Sequence, residues 1–379
     1  MSDPNKAGRS KSLDGIRGLA ILLVIFFHYG YFAPGWIGVQ IFFTLSGYLI
    51  TSILLRSRNR SAGEYFGTFY WHRALRILPV VYLLLLICAV VYVFSSQPSS
   101  LLPDWPWILS FAGNFARMRE MDLGPPFVHL WTLAVEQQFY FIWPILIFFL
   151  PLKWFRNTVF IVLILTPLIR YLLFQYFLHA GHDAAFAGRA VYVLPFLQFD
   201  AFAAGAAIPL WSLDRLAKPA KWFSLTLALA AAGGFMTLLS SYLAGQGVFL
   251  ESFGYAMFLV QDYGFVWGYS LLNVLSMLGI ICVLQGVAPT RVLAHKFLAG
   301  LGRISYGVYV YHLPMLLLGN YLLERLNIKN VGMIRPLYFL LWVAVVMAIS
   351  NCSYRFFELP ILKFKDYWSA RSVVPEVSG

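Results

Sequence analysis

The chain has 379 residues, of which 60% are hydrophobic, 18% aromatic and only 12% charged. A soluble domain carries about 25% charged residues, so a soluble enzyme is excluded and a polytopic membrane protein is expected. The formal net charge of +12 then reads as the Lys and Arg bias that orients membrane helices, not as a nucleic-acid footprint.

A helix crosses a bilayer with about 20 apolar residues. Runs of that kind predict about ten spans, at 15–33, 37–55, 78–96, 130–151, 158–178, 190–211, 222–243, 264–286, 298–320 and 335–357. Most basic residues, among them Arg9, Arg56, Arg60, Lys153, Lys218, Arg303 and Lys363, fall at alternate ends of these spans. That asymmetry predicts both termini in the cytoplasm. The stretch DWPWILSFAGNF (104–115) is too short to cross and reads as an outer-face re-entrant or interfacial segment. The first apolar run has no small-residue cleavage site and leads into another, so no cleaved signal peptide is expected. The expected organisation is one all-α integral membrane domain over 1–365, then a short disordered tail at 366–379.

Ionisable groups inside membrane helices are costly and are therefore candidates for function. In SLDGIRGLAILLVIFFHYG (12–30), Arg17 and His28 lie about three turns apart on nearly one face, separated by roughly 16 Å along the axis. Asp14 precedes Arg17 by one turn and can cap the helix or hold the guanidinium. A snorkelling arginine and a hydrogen-bonded histidine would explain this pair equally well. In FYWHRALRILP (69–79), Arg73 and Arg76 stand one turn apart beside His72. They form either a clamp for phosphate or a positive-inside anchor.

HLWTLAVEQQFYFIWP (129–144) places Glu136 in an apolar helix, where a carboxylate must pair or be protonated. Glu136 and His28 fall at similar depths, roughly 9 and 8 Å below the outer ends of their spans. With the fourth span running inward, these depths permit a His–Glu pair facing a cavity, in which Glu136 fixes the imidazole tautomer and raises its basicity. Asp200 is a further intramembrane carboxylate whose partner the sequence does not reveal. In GRISYGVYVYHLPM (302–315), Ser305, Tyr309 and His312 share one side, with Tyr306 adjacent; interhelical hydrogen bonding is the competing explanation. Arg355 and Glu358 in SYRFFELP (353–360) suggest an interfacial ion pair. The cysteines Cys88, Cys282 and Cys352 are scattered, and GHDAAFAGR (181–189) has only His179 and His182 nearby, so neither a disulfide nor a metal site is expected.

In order, LDGIRGLAILLVIFFH, GWIGVQIFFTLSGYLI, FYWHRALRILP, HLWTLAVEQQFYFIWP and ISYGVYVYHLP, closed by SYRFFELP, resemble acyltransferase family 3. These are multi-pass bacterial inner-membrane enzymes that acetylate O-antigen of lipopolysaccharide, peptidoglycan and exopolysaccharide. The resemblance implies O-acetyl transfer from cytoplasmic acyl-CoA, usually acetyl-CoA, to a hydroxyl of a glycan or lipid-linked glycan. It implies His28, in a motif shared with Arg17, as the catalytic residue, Glu136 as the functional carboxylate with Trp131 and Tyr140 around it, and a role in binding acyl-CoA for Arg73 and Arg76. Arg17, at the inner end of the first span, is a further candidate contact for the acyl-CoA phosphates. Its last block falls on Ser305, Tyr306, His312 and Pro314. No bound cofactor is implied, since acetyl-CoA is the donor substrate. The partners implied are acyl-CoA, the glycan acceptor and membrane lipids, with an export or assembly partner left open.

Gln40, Tyr48 and Thr132 depart from the residues common in the family, and no extracytoplasmic hydrolase-like domain is expected here. Whether His28 acts as a base or is transiently acylated stays open. A transporter would show inverted repeats, which are not evident. An intramembrane serine protease would need Ser46, which the family pattern treats as structural. A non-catalytic acyl-CoA-binding protein would keep every donor motif.

Overall fold

A computed structural model describes residues 4–94, 105–121, 123–287, 290–327 and 331–365. The expected tail at 366–379 lies outside the described residues. The helices are α1 (Pro4–His28), α2 (Ile37–Ser57), α3 (Ala62–Phe94), α4 (Trp105–Leu109), α5 (Gly113–Met118), α6 (Trp131–Phe149), α7 (Leu152–His179) and α8 (Ala184–Val193). They continue with α9 (Phe199–Leu210), α10 (Pro219–Leu243), α11 (Gly264–Leu284), α12 (Thr290–Leu293), α13 (Lys296–Arg325), α14 (Val331–Ser353) and α15 (Leu359–Leu362). No strand occurs among the described residues.

Among the described residues, 7 helical segments are long and apolar enough to cross a membrane: Ala33–Ser57, Ala62–Val91, Val128–Phe149, Leu152–His179, Pro219–Leu243, Gln261–Leu284 and Ile334–Leu362. The chain is an all-α, multi-pass membrane protein. The expected spans 15–33 and 298–320 lie on α1 and α13, which run 25 and 30 residues but carry charge near their ends. α1 stops at His28, and Gly30, with φ 77°, turns the chain into the short 3₁₀ turn Ala33–Trp36.

The expected span 190–211 is not one helix. α8 ends at Val193, a 3₁₀ turn covers Pro195–Leu197, and α9 begins at Phe199. Pro195 explains the break: it lacks an N–H, and its ring forces Leu194 out of the helical region to φ −69°, ψ 131°. Irregular backbone among apolar helices must be satisfied by protein groups. Gln198 Nε2 donates to the Tyr192 carbonyl at 2.6 Å, Asn114 Nδ2 to that of Val193 at 3.3 Å, and Arg170 to that of Leu197 through Nε at 2.9 Å and Nη2 at 2.6 Å.

The described residues group into two compact units. The first gathers those of Met1–Ser52, Asp104–Leu123 and Val128–Arg303, the second those of Ile53–Pro103, Gly124–Phe127 and Ile304–Gly379. Within the first, α2, α6 and α9 are locked together. A Cβ on Gly47 would strike the Phe202 backbone, and one on Gly205 the backbone of Thr44. Phe202 stacks on Phe43 at 4.7 Å and on Phe139 at 4.0 Å, while Trp143 Nε1 donates to Thr51 Oγ1 at 2.8 Å.

Within the second unit, Trp71 Nε1 donates to the Phe364 carbonyl at 3.0 Å, and Trp342 Nε1 to that of His312 at 3.3 Å. α14 runs into a π-helical turn, Tyr354–Glu358. That wider turn shifts the i, i+3 register, and the expected Arg355–Glu358 ion pair is not formed among the described residues. Arg355 is exposed, while buried Glu358 accepts from Ser353 Oγ at 3.3 Å.

Candidate active site

His28 closes α1, half-buried, and its Nδ1 lies 3.0 Å from the carbonyl of Val24, one turn back. A carbonyl only accepts, so the neutral ring carries its hydrogen on Nδ1 and presents a lone pair at Nε2. The helix's own backbone therefore sets the tautomer that the sequence reading assigns to Glu136. Arg117 of α5 lies within electrostatic reach of His28. Asp14 sits inside α1, so it does not cap the helix; its Oδ1 pairs with Arg17 Nη1 at 2.7 Å, both side chains partly exposed.

Glu136 lies on the second turn of α6. Its Oε1 accepts two hydroxyl bonds, from Ser46 of α2 at 2.6 Å and from Tyr140, one turn further along α6, at 2.5 Å. Among the described residues Glu136 makes no hydrogen bond or ion pair with His28, which corrects the expected pair. Glu136 Oε1 serves two hydroxyls and His28 Nδ1 serves Val24, so the contact that fixes the tautomer comes from the helix backbone and not from Glu136. Tyr140 therefore stands beside Glu136 as expected, whereas Trp131 packs its ring on Tyr192 at 4.8 Å.

Gln138 pins the 105–118 segment onto α6. Its Nε2 donates to the Phe111 carbonyl and to Asn114 Oδ1, each at 2.9 Å. Gln40, one of the departures from the family pattern, is fully buried and donates from Nε2 to Gln198 Oε1 at 2.9 Å. That position holds a neutral amide pair here. Asp200 finds its partner in Arg170, at 2.5 Å with both side chains buried; Ser270 Oγ also donates to it at 3.2 Å. Sequence reasoning passed over Arg170, although an arginine inside the run LTPLIRYLL is itself a signal.

In the second unit, Arg73 lines a cleft of about 410 Å³ together with Arg56, Arg60, His72 and Glu64. Its guanidinium lies 5.9 Å from the Phe69 ring centre. Arg76, one turn on, is exposed and within electrostatic reach of Glu358. The two guanidiniums thus have different surroundings. Ser305 is buried, Tyr306 donates to the Ile77 carbonyl at 2.7 Å, and His312 Nδ1 donates to that of Tyr309 at 2.6 Å. Asp14, Arg17, His28, Trp131, Glu136 and Tyr140 thus belong to the first unit. Arg73, Arg76, Ser305, Tyr306 and His312 belong to the second. No group of three or more His, Cys, Asp or Glu able to hold a metal occurs among the described residues.

A multi-pass helical membrane protein with a tautomer-fixed imidazole and a hydroxyl-held carboxylate is the class defined so far. A family model described as an acyltransferase domain matches residues 10–355, and the chain belongs to this family, the acyltransferase 3 proteins. It is 29% identical to the peptidoglycan O-acetyltransferase OatA of Listeria monocytogenes, over 93% of this chain and 56% of that one. A Bacillus subtilis protein provisionally named peptidoglycan O-acetyltransferase YrhL is 28% identical, over 92% of this chain and 54% of that one. The O-acetyltransferase OatA of Staphylococcus aureus is 25% identical, over 93% and 57% respectively. The chain spans about half the length of the curated relatives it matches. No solved structure matches it.

Proposed function

We propose that the chain is a membrane-embedded O-acetyltransferase that moves an acetyl group from acyl-CoA to a hydroxyl of a cell-envelope glycan. The observation that carries this reading is the His28 imidazole, held by the Val24 carbonyl in the tautomer with its hydrogen on Nδ1. Such a ring can take the acceptor hydroxyl proton as the oxygen attacks the thioester carbonyl. The C–O bond then forms, the C–S bond breaks, and the proton passes from His28 to the departing thiolate. Attack by Nε2 itself, with an acyl-imidazole intermediate, would use the same lone pair. Glu136, whose Oε1 is occupied, acts through Oε2.

The cationic cleft of Arg73, Arg56, Arg60 and His72 suits the phosphates of the donor. Arg17, held by Asp14 one turn back on α1, is a further donor contact. In this reading about ten segments cross the bacterial inner membrane with both termini in the cytoplasm. The acceptor class follows the relatives, two of which are named for peptidoglycan. An export or assembly partner also belongs to the proposal.

The test is transfer of labelled acetyl groups from acetyl-CoA to envelope glycan in membranes containing the chain. Unaltered protein should transfer label and His28→Ala should not; equal transfer by both would sink the assignment of His28.

A further inference from the structure

Ser46, in the block TLSGYL, enters the sequence reading as a structural residue. Its geometry says otherwise. Ser46 Oγ and the Tyr140 hydroxyl both donate to one carboxylate oxygen, Glu136 Oε1, at 2.6 and 2.5 Å. Bonds of about 2.5–2.7 Å are characteristic of hydroxyls donating to a charged oxygen. With both donors on Oε1, the carboxylate cannot rotate without breaking two bonds, and Oε2 is the oxygen left for chemistry.

Ser46 is also placed rigidly. The next residue, Gly47, lets the α2 backbone sit directly on Phe202 of α9, and Gly205 of α9 meets Thr44 in the same way. Phe139 of α6 stacks on Phe202, and Trp143 of α6 bonds to Thr51 of α2. Each helix that carries a member of this trio is therefore held against the other by contacts on both sides of Ser46. The dipeptide divides the work: glycine sets the approach, and serine holds the carboxylate.

We propose that Ser46 is a positioning residue of the acyl-transfer site, acting through Glu136 with Tyr140 as the second holder. This rests on the acyltransferase reading given above. Ser46 itself makes no bond to the reacting groups; its hydroxyl aims Glu136 Oε2.

The experiment compares Ser46→Thr with Ser46→Val, two side chains of nearly the same shape that differ by the hydroxyl. Initial rates of labelled acetyl transfer are measured in membranes over a range of acetyl-CoA, normalised to folded protein by size-exclusion recovery. Ser46→Thr should keep most of the activity. Ser46→Val and Ser46→Ala should lose about ten- to a hundredfold in kcat, the worth of one bond to a charged group, with KM for acetyl-CoA unchanged. Equal rates for Thr and Val, high or low, would overturn the role of the hydroxyl. Absence of transfer by unaltered protein would instead overturn the acyltransferase reading itself, so the two failures are distinct.

Discussion

Arg170 of α7 and Asp200 of α9 form a 2.5 Å ion pair, with neither side chain exposed beyond 2%, at the point where Pro195 breaks the chain out of helix. The pair does more than neutralise two charges. Arg170 also satisfies the Leu197 carbonyl that the break leaves without a helical partner. Removing one member of a buried pair costs about 3–5 kcal/mol because the other is left uncompensated. Arg170→Met should therefore destabilise strongly, since it strands both Asp200 and a carbonyl. Asp200→Asn should cost less, because the amide oxygen still accepts from Arg170 while the amide nitrogen can donate to Ser270 Oγ. Thermal melts in detergent, followed by tryptophan fluorescence, check the order; equal loss in the two variants would contradict it.

A second prediction concerns the contact between α2 and α9. A methyl group at Gly47 meets backbone atoms of Phe202, which cannot swing aside as a side chain would. Overpacking a well-filled interior costs typically about 1–3 kcal/mol. Gly47→Ala should reach or exceed that range and should also lower acetyl transfer, because it moves the helix that carries Ser46. Gly63, whose added Cβ meets nothing within 4 Å, is the control, and Gly63→Ala should leave the melting temperature unchanged within error.

These helix pairs also show what the sequence can and cannot carry. Pairs within one helix follow the 3.6-residue period, so Asp14 with Arg17 and Glu136 with Tyr140 are legible from spacing alone. Long apolar runs announce the spans for the same reason. Ser46 with Glu136 and Arg170 with Asp200 join different helices. Their partners depend on which faces pack, and helices that are apolar nearly all round do not encode their mutual rotation. The break at Pro195 was written in the sequence, yet the apolar residues on both sides of it mask it as one continuous span.

Arg73 and Arg76, equivalent by spacing, should separate by assay. Arg73 lines the cationic cleft, whereas Arg76 is exposed near Glu358. Loss of one bond between a charged donor and phosphate is worth about 1.5–3 kcal/mol. Arg73→Ala should raise KM for acetyl-CoA by about tenfold or more with little change in kcat, and Arg76→Ala should do so far less. Adding salt should raise KM in the unaltered protein, because screening weakens attraction between exposed charges. Equal KM shifts in the two variants would restore the symmetrical clamp suggested by their spacing.

The last prediction turns on Gln40, one of the departures from the family pattern. Gln40 and Gln198 are both fully buried. Gln40 Nε2 donates to Gln198 Oε1, while Gln198 Nε2 donates to the Tyr192 carbonyl at the end of α8 at 2.6 Å. A carboxylate at position 40 would face that amide oxygen. Turning the Gln198 amide to offer its nitrogen would bring its oxygen against the Tyr192 carbonyl instead. Gln40→Glu thus leaves a buried charge with no donor, and its cost should exceed the roughly 1–3 kcal/mol of a single unsatisfied buried group. Gln40→Met, which strands only the Gln198 oxygen, should stay within that range. Lowering the pH should narrow the gap between the two variants, because a neutral carboxylic acid regains an O–H to give to Gln198. Melting temperatures of both variants in detergent, at neutral and at acid pH, test this. A Gln40→Glu protein as stable as Gln40→Met at neutral pH would mean that the pair can reorganise around a charge.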